Sequence, residues 1–255
     1  MGQAVVRGLL KAQWATPAQL VASHPDPVRC EALSKSLGIR VVPSNAACVQ
    51  GAEAILLGVK PQILKDILQE LKGVVRKEQM VLSIAAGVST ATIESVLPDV
   101  PVVRSMPNLP VTVGLGATAI APGSKASRQH MDLARAIFQS VGIVEEVPEK
   151  LLDAVTGLSG TGPLYVFHFL EAMGDAGVKV GLSRATAVRL AMQTLEGSAR
   201  LALLSGKHPG ELRDQVTSPG GTAITALHVL RKEAFSAIVM DAVEAAAKRS
   251  KELGS

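Results

Sequence analysis

Short apolar runs alternate with helix-like stretches through the first 148 residues, and the alternation stops there. That rhythm constrains the fold more than any other feature of the chain. Strand candidates fall at 20–23, 40–42, 53–59, 81–85, 102–105, 116–121 and 142–147. Helical stretches lie between them at 27–37, 44–50, 61–71, 89–97 and 127–140. Pro61 suits a first helical turn, Gly38 suits a helix end, and Ser44 suits an N-cap. The run 53–59, EAILLGV, is apolar on both faces, as a buried parallel strand is. Strand and helix alternating at this spacing imply βαβ units in a doubly wound α/β sheet. Ligands of such sheets bind beyond the carboxyl ends of the strands.

Residues 149–255 carry helical periodicity and almost no strand signal. Helices are expected at 149–157, 162–180, 184–205, 209–215, 222–231 and 234–252, broken by LSGTGP at 158–163 and TSPGGT at 217–222. Two domains are therefore expected, 1–148 and 149–255. A helical half this small, rich in Ala, Leu and Gly, leaves apolar surface uncovered. That favours a homo-oligomer formed through it.

Composition narrows the function classes. Hydrophobic residues make up 47% of the chain, enough for a packed core. Two cysteines, Cys30 and Cys48, cannot staple a secreted module. The mean hydropathy is +0.30, yet the longest uncharged stretch, 105–124, is broken by three prolines and three glycines. No membrane span is expected, nor a secretory leader at residues 1–10. A cytoplasmic protein with reduced thiols follows. The +4 net charge is spread over both halves, and one Trp, one Tyr and four Phe leave little to stack on bases. Nucleic acid is not an expected partner.

Several loops could carry chemistry. Met1-Gly2 followed by AVVRGLL reads as the first helix of a dinucleotide fold, but no strand or Gly-x-Gly turn stands before Gly2. The first strand of the sheet is therefore expected to be absent. The end of strand 20–23 carries Ser23 and His24 with Arg29 near, and no acid, which tilts toward NADPH over NADH. Lys60 in GVKP either neutralises a phosphate or is a solvated loop lysine. Asn108 in MPNLP is either aimed at a ligand or part of a plain turn. In TSPGGT, exposed backbone N–H groups with Thr222 as a helix cap would form a carboxylate site. The bland alternative is a helix connector. His168, on an apolar helix, is expected in a core. No metal motif, Walker loop or Gly-x-Ser-x-Gly elbow is present, so no metal is expected.

DAVTGLSGTGPLYVF at 153–167, AGVKVGL at 176–182, HPGELRDQVTSPGGT at 208–222 and AVEAAAKRSKEL at 242–253 resemble the pyrroline-5-carboxylate reductase family. GVKPQ, SIAAGVS and VRSMPNLP resemble its N-terminal half, in the same order, so the likeness spans the chain. The resemblance implies a Rossmann-like sheet and an all-α helical dimerisation domain, with dimers that assemble into decamers. It implies reduction of 1-pyrroline-5-carboxylate to L-proline by NADPH or NADH, the last step of proline biosynthesis. By position, cofactor contacts would fall on Met1, Gly2, Ser23, Pro25, Asn45, Gly58, Val59, Lys60, Pro61, Ile84, Ala85 and Ala86, with Asn108 near the nicotinamide. Glu149, Gln215, Ser218, Gly220, Gly221, Thr222 and Ala223 would line the substrate end.

Two departures matter. The family's Gly-x-Gly-x-Met-Gly motif survives only as Met1-Gly2. Many members carry Thr where this chain has Ala223, which moves the candidate catalytic hydroxyl to Thr222, about 100° around a helix. The alternatives are a non-catalytic structural or regulatory homologue with an incomplete cofactor site, and a relative reducing another imine or ketoacid.

Overall fold

The computed structural model describes residues 1–254. It divides into two compact units, one of residues Met1–Gly162 together with the chain from Val243 onward, the other Pro163–Ala242. Residues 149–162 and the end of the last helix pack on the sheet unit, as the contacts below show.

The first unit opens with helix α1 (Gly2–Lys11), then β1 (Val21–Ser23), α2 (Pro27–Leu37), β2 (Arg40–Val42), α3 (Asn45–Val49) and β3 (Ala54–Leu57). It continues through α4 (Pro61–Leu71), β4 (Met80–Ser83), α5 (Thr90–Glu94), β5 (Val102–Met106), β6 (Gly116–Pro122), α6 (Arg128–Gln139) and β7 (Gly142–Glu146). A 3₁₀ turn, Glu149–Leu151, the short α7 (Leu152–Val155) and a π-helical turn, Thr156–Gly160, follow. Local chemistry sets the ends. Pro27 and Pro61 open α2 and α4, Gly38 closes α2 with φ +70°, and Ser44 caps α3 by accepting from the Ala47 N–H at 3.2 Å.

Two sheets result. β1 and β2 pair in parallel, and β3 to β7 form a second sheet in sequence order. Among the described residues, no strand joins β1 to β3. Alternation assigns the faces of the larger sheet. Ala54, Leu56, Met80, Leu82 and Val103 face a cluster with α1 and α6 that holds Val5, Leu9 and Phe138. Ile55, Leu57, Val81 and Val102 face another with α4 and α5 that holds Leu64, Leu68 and Ile93. Helices therefore cover both faces, as in a doubly wound fold. One pairing breaks the parallel pattern: β6 runs antiparallel to β5. Only a 3₁₀ segment, Leu109–Val113, separates those strands, too little for a crossover helix, whereas α6 supplies the crossover that makes β6 and β7 parallel.

The second unit comprises α8 (Gly162–Lys179), α9 (Arg184–Ser205), α10 (Pro209–Gln215), α11 (Thr222–Lys232) and the start of α12 (Phe235–Leu253). Helices α8 and α9 meet at small residues: a Cβ on Gly177 would lie 2.6 Å from the Ala187 Cβ. His168 is not in a core. Its ring is exposed and lies 3.7 Å from Glu171, one turn on. Among the described residues, no helix is long and apolar enough to cross a membrane.

Candidate active site

In the sheet unit, the carboxyl ends of β3 and β4 lie beside the start of α1. Met1 stands at the N-cap of α1, no side chain caps that end, and no acid lies in its first turn. Such a helix end carries partial positive charge and free amide donors. Gly2 sits against Gly58, just past β3. A Cβ on Gly58 would stand 3.2 Å from the Gly2 Cα, and one on Gly2 would stand 3.7 Å from the Gly58 Cα. The Ile84 side chain closes on the same spot, 3.8 Å from the Gly58 Cβ position. A side chain at Gly58 would crowd Gly2, whereas one at Gly2 would make ordinary contact, so it is Gly58 that keeps this backbone approach open at the positive end of a helix.

At the end of β1, the Ser23 hydroxyl donates to the Asn45 Oδ1 at 2.6 Å, and the Asn45 amide donates to Glu70 at 2.7 Å. Pro25 leads into Asp26, whose carboxylate caps α2 by accepting from the Val28 N–H at 2.9 Å. That acid is committed to its own helix. Val59 and the exposed Lys60 follow Gly58, with Lys60 at the N-cap of α4 and Pro61 behind it. Ala85 and Ala86 follow β4, and the Ala85 N–H donates to the Ser83 hydroxyl at 3.3 Å. Burial pushes the Cys48 thiol pKa up, so this neighbour on α3 is a poor nucleophile.

Two side chains are engaged in ways that spacing did not suggest. Buried Asn108 donates to the Ser159 carbonyl at 3.1 Å and accepts from the Ala117 N–H at 2.9 Å. Its amide pins two backbone segments together beyond the end of β5. Glu149 accepts from the Thr90 N–H and hydroxyl, both at 2.7 Å, and from Arg104 at 3.3 Å.

The helical unit carries the other group. Gln215 ends α10, and residues 217–221 lead into α11. Gly221, not Thr222, is the N-cap, and no side chain caps α11. The expected Thr222 cap is therefore corrected: Thr222 is the first helical residue, and its hydroxyl does not serve the helix end. Ser218 and Gly221 close the turn, with the Gly221 N–H donating to the Ser218 carbonyl at 3.1 Å. A depression of about 360 Å³ is lined by Gly220, Gly221, Thr222, Thr225, Ala226 and Val229. Ala223 lies off that lining.

Comparison with known proteins decides the family. Residues 149–253 match the family model for pyrroline-5-carboxylate reductase dimerisation, and residues 1–87 match the one for coenzyme F420-dependent NADP oxidoreductases. The pyrroline-5-carboxylate reductase of Methanosarcina acetivorans is 46% identical, over 100% of this chain and 94% of that one. The chain belongs to the pyrroline-5-carboxylate reductase family. The reductase of Synechocystis is 43% identical, over 100% of this chain and 95% of that protein. The crystal structure of Plasmodium falciparum pyrroline carboxylate reductase, solved with NADP bound, superposes with a TM-score of 0.91. It is 32% identical and covers 100% of this chain and 95% of that one.

This family membership gives the chain a Rossmann-like domain and a helical dimerisation domain, and makes it a self-associating protein with a small-molecule substrate. Sequence reasoning passed over Thr90, Arg104 and Thr225. Arg104 was the findable one, a lone charge inside the apolar strand VVRSM.

Proposed function

We propose that this chain reduces 1-pyrroline-5-carboxylate to L-proline with NADPH, NADH serving as a second donor, in the last step of proline biosynthesis. The observation that carries this reading is the extent of the similarity: it runs through both the cofactor-type cradle and the SPGG loop at 46% identity to a reductase. The donor set also suits an anionic dinucleotide. The uncapped start of α1 and the Gly2–Gly58 approach accept a pyrophosphate. Ser23, Pro25 and Asn45 border the adenosine ribose, and the engaged Asp26 leaves room for a 2′-phosphate. Gly58 to Pro61 and Ile84 to Ala86 wall the remainder, with Asn108 setting the far end.

Bound nicotinamide supplies the hydride. The protein's own residues orient the imine and manage its charge. Backbone N–H groups at Ser218 and Gly220 hold the single carboxylate, and Gln215, Gly221 and Ala223 border it. The Thr222 hydroxyl, free of any capping duty, holds the ring nitrogen, which gains a proton as the adjacent carbon gains the hydride. Residues 1–148 serve as the dinucleotide-binding domain and 149–255 as the dimerisation and substrate domain. Dimers assemble further into decamers in the cytoplasm, with no membrane or nucleic-acid partner.

NADPH oxidation by this chain, followed by absorbance, should require 1-pyrroline-5-carboxylate. Thr222→Val should lower kcat by about 10²-fold, the scale of one positioned proton donor.

A further inference from the structure

We propose that Glu149 is a positioning residue for the segment 84–90. In this assignment it sets the affinity for the dinucleotide and does not touch the imine. The inference rests on the reading above that Ile84 to Ala86 wall the cofactor, and it gives Glu149 a different duty from the substrate contact implied by family position.

Both carboxylate oxygens of Glu149 are engaged within the sheet unit. One accepts from the Thr90 N–H at 2.7 Å and from Arg104 at 3.3 Å, and the other accepts from the Thr90 hydroxyl at 2.7 Å. Thr90 is buried and lies four residues after Ala86. Its backbone and side chain are held by the same acid, so its place along the chain is fixed. Arg104 orients that acid from a buried position on β5. Its other nitrogen lies 3.8 Å from Asp153, which accepts from the buried Ser250 hydroxyl at 2.7 Å. The polar chain thus runs from α12 through α7 and β5 to the end of the cofactor-side loop.

The same loop is gripped at a second point. Gly87 has φ +76°, and backbone atoms of Ser250, Leu253 and Gly254 stand 3.0–3.2 Å from where its Cβ would be. The loop is thus held at Ala85 by the Ser83 hydroxyl, at Gly87 by the end of α12 and at Thr90 by Glu149. Ile84, at its other end, lies against the Gly2–Gly58 cradle, so a shift of the loop would reach the wall of the cofactor site. A residue that braces a cofactor wall should alter cofactor affinity, whereas a substrate ligand should alter the KM of the imine.

The test compares Glu149→Gln, Thr90→Val and Thr90→Ser in the full chain. The readouts are NADPH affinity by its own fluorescence, KM for each reactant, and hydrogen exchange of amides 84–90. Glu149→Gln and Thr90→Val should each weaken NADPH roughly ten-fold, the scale of one lost hydrogen bond to a charged group. KM for 1-pyrroline-5-carboxylate should stay within about two-fold. Thr90→Ser, which keeps the hydroxyl, should restore the affinity. A raised KM for the imine with unchanged NADPH affinity would overturn the assignment and return Glu149 to the substrate. If the unaltered chain binds no NADPH, the functional reading fails, and hydrogen exchange alone judges the brace. Faster exchange confined to 84–90 in Glu149→Gln and Thr90→Val supports it, and unchanged exchange refutes it.

Discussion

The sheet unit and the helical unit solve the burial problem in opposite ways. The first sandwiches its larger sheet between two clusters of Leu, Ile, Val and Phe, with Leu64, Met80, Ile93 and Phe138 all under 2% exposed. In the second, among residues 163–242, only Gly174, Ala187 and Ala191 are buried. Leu190, Leu201 and Leu204 stay largely exposed there, at 55%, 56% and 87%. These three share a stripe, because spacings of eleven and three residues return to one side of a helix. One unit completes its core alone. The other is half of a core, and a second copy of the chain must complete it, as its dimerisation domain implies.

The sharpest way to break this contrast is to charge the stripe. Leu190→Glu with Leu201→Glu removes four leucines from a symmetric dimer. At ~1.5–3 kcal/mol each, that is roughly 6–12 kcal/mol of association. Sedimentation velocity should show monomers, with far-UV circular dichroism recording how much helix remains. A double variant that sediments with the unaltered chain would mean that another face makes the dimer.

The converse test strikes the self-sufficient unit. Phe138→Ala opens a cavity where α6 meets the sheet and should cost about 3–5 kcal/mol in urea unfolding. Its effect should not depend on protein concentration at fixed dimer occupancy, whereas that of the leucine pair should.

The contrast also explains what could be read in advance. Helix limits in both units were legible at several places where Pro, Gly or Ser punctuates the chain: 27–37, 61–71, 184–205 and 209–215 stand as expected, whereas 89–97 shortens to Thr90–Glu94. Those residues act locally, through φ, a missing N–H or a cap. Strand direction was not legible, because alternation carries no sign, and β6 turned antiparallel. The candidate cofactor loops were visible as small residues at strand ends. The engagements of Glu149 with Thr90 and of Asn108 with Ser159 were not, since they join residues 59 and 51 positions apart. His168 failed as a core residue for a reason special to the helical unit. Its apolar periodicity is real, but the surface it marks is left exposed in a single chain.

The smallest expected effect tests whether surface charge matters in the self-contained unit. Glu146, at the end of β7, accepts from Arg135 at 2.6 Å and from Arg128 at 3.2 Å. The hydrogen bond from Arg135, with help from the charge of Arg128, holds its carboxyl below the usual glutamate range against an opposing push from burial. Unfolding releases the acid to its ordinary value, near 4.3. The stabilisation is therefore complete above that value and is lost as pH falls through the lowered folded value. Exposed pairs of this kind contribute roughly 0–1 kcal/mol. Glu146→Gln should thus lower the melting temperature slightly at neutral pH and converge with the unaltered chain in strong acid. A gap that persists unchanged into acid would mean that Glu146 acts through packing, as Phe138 does, and not through its charge.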